Sequence, residues 1–97
     1  MDNQEQAKLQ QEINQSNKVK DLLNNPLLQE SFDKLKNLYS TSLLNTGANE
    51  TETREKLWLA FNIVGKVEQN LQEILDTGKL ASKQLEDYRN SIQDKKF

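Results

Sequence analysis

The side chains that could do chemistry in this sequence are carboxylates and lysines, because its 97 residues include no Cys and no His. The chain therefore has no thiolate nucleophile, no imidazole base and no zinc site of the usual kind. Its carboxylates include neighbouring pairs such as Glu52 with Glu55 and Glu86 with Asp87. We expect them on solvated helix faces, whereas acid–base catalysis needs a carboxylate pair in a sheltered cleft. The sequence predicts a protein that is not an enzyme, with no catalytic residue, cofactor or metal site.

Lysines near the C-terminus are the candidates for phosphate contacts. They are Lys79, Lys83, Lys95 and Lys96. A net charge of -2 and a pI near 5.1 oppose general nucleic-acid binding, which needs a basic surface. Nucleic acid is therefore an alternative partner that we do not favour, and these lysines are expected to be ordinary solubilising charges.

Composition indicates a few long helices. Three Gly and one Pro leave few turn-forming residues, which argues against many short strands. The N-terminal residues have neither the basic head nor the apolar centre of a secretion signal, and no apolar run approaches the ~20 residues of a membrane span. We expect an all-α, soluble protein that makes no membrane contact and stays in the cytoplasm.

A helix over 51–76 is predicted to be the central element, because its apolar residues recur three and four positions apart. Trp58 and Ile63 flank this stripe and widen it, so more than one neighbouring element should pack against the helix. The predicted core and interaction residues are Phe32, Leu35, Tyr39, Leu57, Trp58, Phe61, Val64, Val67, Leu71 and Ile74.

A second helix is predicted over 26–45. Asn25 is a favoured N-cap and Pro26 is suited to the first helical position. Gly47 suits the left-handed position that follows a helix, and Asn49 with Glu52 has the spacing of a capping box. The short link makes 26–45 and 51–76 an antiparallel hairpin.

The two ends of the chain are less sharply defined. Residues 1–17 are polar and predict a Gln/Asn-rich arm without stable structure, followed by a single helical domain over 18–97 that starts with a short helix at about 18–24. Gly78 indicates a helix end, with a further helix at about 80–94. The apolar spacing nevertheless continues in phase through Gly78, so one long bent helix is the alternative; the Thr-Gly-Lys sequence favours the turn.

Three segments resemble a family of small helical proteins encoded by tailed bacteriophages and prophages. They are the Asn25-Pro26-Leu27-Leu28 helix start, the Arg54–Trp58 sequence REKLW, and the Gly78-Lys79-Leu80-Ala81 step. The resemblance covers about two-thirds of the chain and includes no catalytic motif. It implies a phage origin, a role near virion assembly or DNA packaging, and a location in the bacterial cytoplasm or the virion.

We therefore expect a phage structural or assembly protein that acts by helix-mediated binding to a protein partner or by self-association. A packaging factor similar to a small terminase subunit, binding DNA, is one alternative. An inhibitor of a host protein is another.

Overall fold

Three α-helices account for most of residues 1–94, the part of the chain that this computed structural model describes. They are α1 (Asn3–Leu23), α2 (Pro26–Leu44) and α3 (Thr51–Asp94), and these residues form no strand. The prediction of an all-α fold is confirmed for this part of the chain. The described residues group into two compact units: Met1–Leu22 with α3 from Leu71 onward, and Leu23–Asn70.

The polar N-terminal segment is helical, contrary to the expected unstructured arm. The carboxylate of Asp2 accepts a hydrogen bond from the backbone N–H of Glu5 at 2.7 Å, which caps the first turn of α1. Gln, Glu and Lys are good helix formers, so the helix needs only a narrow buried stripe to be held in place. Ser16 and Val19 supply that stripe, and both are buried.

In the first unit, α1 runs antiparallel to the C-terminal part of α3. Ser16 lies beside Leu75 and Gly78, whereas Met1 accepts a hydrogen bond from the Tyr88 hydroxyl at 3.4 Å. Burial concentrates where the helices meet, at Ser16, Val19, Gly78, Ala81 and Leu85. Small side chains at this contact let the two backbones come close together.

Gly78 lies inside α3, so the predicted break between 76 and 80 is wrong. A Cβ at position 78 would overlap the side chain of Ser16 and would stand 3.2 Å from the backbone oxygen of Glu12. The glycine therefore serves close helix packing and not helix termination. Residues Thr51–Asp94 form one continuous helix, in agreement with the apolar spacing that continues in phase through Gly78.

In the second unit, α2 and residues 51–70 of α3 form an antiparallel hairpin. The Asn25 side chain accepts a hydrogen bond from the N–H of Leu27 at 2.9 Å, as expected of an N-cap followed by Pro26. Phe32 is the buried centre of α2. Lys36 and Glu68 join the two helices by an ion pair at 3.1 Å.

The link between α2 and α3 is held by Arg54. Its guanidinium donates to the hydroxyl of Thr46 at 3.2 Å and to the carbonyl oxygen of Gly47 at 2.6 Å. Gly47 does not adopt the predicted left-handed conformation, since no glycine of the described chain has a positive φ. Glu50, and not Asn49, directly precedes α3, and its carboxylate accepts a hydrogen bond from the N–H of Gly47 at 3.3 Å.

Candidate functional site

The predicted core residues divide into three groups by exposure. Phe32 is buried. Those that are half-buried are Tyr39, Leu57, Phe61, Val64, Leu71 and Ile74. Those that are exposed are Leu35, Trp58 and Val67. Leu71 and Ile74 belong to the first unit, and the others to the hairpin.

Trp58, predicted as a core or interaction residue, is exposed in the single chain. Its side chain is 61% exposed, whereas the neighbouring Leu57 is half-buried. Successive residues of an α-helix are turned by about 100°. Because Leu57, Phe61 and Val64 point toward α2, Trp58 is turned to one side of the hairpin.

Five of the solvent-exposed apolar side chains of the hairpin form what we call the hairpin face. Leu38, Leu59 and Ile63 are 56%, 55% and 52% exposed, and Val67 and Leu35 are 47% and 38% exposed. Leu59, Ile63 and Val67 are spaced four residues apart, so they form one row along α3. Leu35 and Leu38 are three apart and therefore neighbours on α2.

Helix geometry puts both rows on the same side of the hairpin. On α2, Leu35 and Leu38 are turned backward by about 60–120° from the inward direction of Phe32. On α3, Val67, Ile63 and Leu59 are turned in the same sense from Leu57, by about 80°, 120° and 160°, so Leu59 lies at the outer edge of its row. When two helices are antiparallel, side chains turned by equal angles and in the same sense from the helix contact lie on the same side of the pair. The ion pair between positions 36 and 68 aligns the helices so that Leu38 lies within about one helical turn of the level of Ile63.

The other side of the hairpin is more polar. A shallow groove of about 450 Å³ lies there, lined by Asp33, Lys36, Asn37, Ser40 and Phe61. Lys36 also approaches Asp33, at 3.9 Å, in addition to its ion pair with Glu68. The two sides of the same hairpin thus differ, since one carries charges and amides beside Trp58 and the other carries rows of aliphatic side chains.

The hairpin face has no carboxylate within it. Along α3 between positions 59 and 70, the residues turned to this side are Leu59, Ala60, Ile63, Val67 and Asn70. Before Leu59, Lys56 and Glu52 are turned to the same side and form an ion pair at 3.2 Å. On α2, serines and a peripheral lysine accompany the leucines. A second surface that covers only the rows from 59 to 67 therefore buries no carboxylate, which would otherwise cost several kcal/mol.

The carboxylates and lysines considered for chemistry are exposed. Glu52, Glu55, Glu86 and Asp87 face solvent, and Glu52 bonds Lys56 at 3.2 Å on the helix surface. Within residues 1–94, no group of three His, Cys, Asp or Glu side chains is arranged to hold a metal ion.

Lys79 and Lys83 are exposed one helical turn apart, with Asp76 and Asp87 at neighbouring helical positions. Lys95 and Lys96 lie outside the described residues.

Two open grooves of about 490 and 500 Å³ flank the contact between α1 and α3. The first is lined by Met1, Glu5, Lys8, Leu9, Glu12, Gln84 and Asp87. The second is lined by Gln10, Ile13, Ser82, Leu85, Glu86, Arg89, Asn90 and Gln93. Their mixed linings and open form do not provide the convergent, desolvated polar groups of a small-molecule site.

The sequence analysis predicted two of the five residues of the hairpin face, Leu35 and Val67, among the core and interaction residues. It noted that Ile63 widens the apolar stripe of the central helix, without assigning this residue to a surface. Leu59 was missed. The available signal was the spacing of four between Leu59, Ile63 and Val67, a second row offset from the buried one.

Comparisons with known proteins add no assignment: no family model, curated protein or solved structure matches the chain. Within the described residues, no helix combines the length and apolar character that crossing a membrane requires.

Proposed function

We propose that this chain is a non-enzymatic interaction protein that works through the hairpin face. The observation that supports the proposal is the pair of exposed apolar rows on one side of α2 and α3. Single exposed apolar residues are normal on a protein surface, but a contiguous group of five with no carboxylate among them is typical of a binding surface. Helix-mediated self-association or docking on a larger assembly uses such a surface.

The setting that we propose is a phage or prophage assembly, in the bacterial cytoplasm or in the virion. This part of the proposal depends on the sequence resemblance at Asn25–Leu28, Arg54–Trp58 and Gly78–Ala81. Mass spectrometry of purified particles checks it, because an assembly protein retained in the virion is detected there. Particles that lack the chain, together with capture of the chain on a protein of the uninfected host, would favour the host-inhibitor alternative.

Paired variants test the role of the hairpin face. Leu38→Glu and Ile63→Glu place a carboxylate on the face, whereas Asn37→Glu and Gln69→Glu add the same charge at exposed positions on the other side. Cross-linking of the purified chain, alone and with phage components, should give products that only the face variants lose. Equal products from all four variants would contradict the proposal, provided that circular dichroism shows unchanged helix content.

DNA binding is the second candidate, and exposed Lys79 and Lys83 are the observation that favours it. Charge balance opposes it, since Asp76 and Asp87 lie within one helical turn of these lysines. A gel shift at low salt tests this alternative. Binding that weakens steeply with salt and is lost in Lys79→Ala/Lys83→Ala would support it.

A further inference from the structure

We propose that the occupant of the hairpin face is a second copy of this chain, and that the two copies meet around Ile63. This inference rests on the proposed function and names its partner. It depends on three properties of the face: its area, its symmetry and its charge.

The area of the face suits the centre of a dimer interface. The five side chains leave on the order of 400 Å² of apolar surface open, within the range of functional patches on small proteins. A standard interface buries about 800 Å² on each partner, of which roughly half is an apolar centre and the remainder a polar rim. The hairpin face thus matches the apolar half of such an interface, and the serines and lysines around it are the residues that would form the polar rim.

The row on α3 is symmetric about its central residue. Leu59 precedes Ile63 by four positions and Val67 follows it by four. A two-fold axis that lies in the interface at the level of Ile63 therefore brings Leu59 of each copy onto Val67 of the other and Ile63 onto its own equivalent. An isologous interface requires such self-complementarity.

The same axis suits α2. Leu38 lies within about one turn of the level of Ile63 across the hairpin, so the axis also brings Leu38 near Leu38 of the second copy. The product is a four-helix arrangement in which each α3 packs antiparallel on the other α3, and each α2 on the other α2.

The positions of the charged residues on α3 are compatible with this pairing. When position 63 faces itself, Lys56 faces Asn70 of the second copy and Lys66 faces Ala60. Glu52, which pairs with Lys56, faces Ile74, so none of these charges lies opposite a like charge. Like charges placed directly opposite would disfavour the dimer. The pairing leaves the lysine ammonium groups at the rim, in water.

Sedimentation and single-cysteine cross-linking of the full-length chain test the inference. Because the chain has no cysteine, a thiol introduced at one position gives an unambiguous product. Sedimentation velocity over a dilution series should show a dimer, and Ile63→Glu should raise its dissociation constant at least about 100-fold. Ile63→Cys should form a disulfide-linked dimer under mild oxidation, and the control Gln69→Cys, exposed on the other side, should not.

Three results would overturn the pairing. The first is a monomer at every concentration. The second is a dimer unaffected by Ile63→Glu. The third is a dimer in which the Ile63→Cys variant fails to cross-link.

Two further outcomes separate this inference from the proposed function. If the chain is monomeric but Leu38→Glu and Ile63→Glu abolish its cross-links to a phage component, the face binds a different protein: the proposed function stands and this inference fails. If those variants change no association at all, both fail.

Discussion

Ser16 on α1 occupies the space that a side chain at Gly78 on α3 would need. Its hydroxyl donates a hydrogen bond to the carbonyl oxygen of Leu75 at 3.3 Å, so the polar group is satisfied although Ser16 is buried. Serine and glycine, two of the smallest residues, thus form this contact between α1 and α3. It explains why a glycine is present within a long helix, where glycine normally costs about 1 kcal/mol relative to alanine.

Alanine should have opposite effects at two glycines of α3. Gly78→Ala places a Cβ against Ser16, so we expect the free energy of unfolding to fall by about 1–2 kcal/mol, since overpacking outweighs the gain in helix propensity. Gly65→Ala meets no atom within 4 Å and should raise it by about 0.5–1 kcal/mol. Urea unfolding followed by circular dichroism measures both. Stabilisation by both alanines would show that the close contact at Gly78 does not form.

Phe32 and Trp58 should differ in their importance for stability. Phe32→Ala removes a buried ring and should cost about 3–5 kcal/mol. Trp58→Ala should cost about 1 kcal/mol or less, because the indole is mostly in water. Trp58 is also the single tryptophan, so acrylamide should quench its fluorescence efficiently. Strong protection from the quencher in a dilute sample would contradict the exposed position.

The ion pair between Lys36 and Glu68 should contribute little. Both side chains are about one-third exposed, at 36% and 29%, so solvent screens the 3.1 Å interaction. A double-mutant cycle with Lys36→Met and Glu68→Gln should give a coupling energy of at most about 1 kcal/mol, decreasing as salt is added. A coupling of about 3 kcal/mol that is insensitive to salt would indicate a much drier contact.

Asn25 and Asn24 form a matched test of helix capping. Asn25→Ala removes the acceptor for the N–H of Leu27 and should cost about 1 kcal/mol. Asn24→Ala, at an exposed turn position, should change stability by less than about 0.5 kcal/mol. Thermal unfolding under identical conditions compares them. Equal losses would indicate that the measured cost at position 25 does not come from the cap.

Local signals predicted much of the fold. Asn25-Pro26 marked the start of α2, and the apolar spacing identified the helical character of 51–76. The start of α1 also has a local signal, because Asp2 followed by Glu5 has the spacing of an N-cap and its N3 acid. The low hydrophobicity of residues 1–17 opposes this signal, since it is typical of a segment without stable structure.

The remaining features depend on distant contacts. The local sequence around Gly78 is compatible with two roles, a helix end and a point of close contact with a neighbouring helix. Only the position of α1 shows that the second role applies. Large aromatic residues are usually mostly buried, which favours a core position for Trp58. Its position one residue after Leu57, however, turns its side chain by about 100° away from the contact with α2. The hairpin face could not be predicted for a related reason. Periodicity shows which apolar residues share one side of a helix, but not whether another helix covers that side.

The contact between Ser16 and Gly78 also fixes the register of the first unit. Sliding α1 by one turn would bring Glu12 or Lys20 to the position opposite the buried glycine, and their long side chains would separate the backbones there. The alignment of the two helices is thus selected by steric volume at one crossing point. It should be insensitive to ionic strength, in a molecule whose surface is otherwise rich in charge.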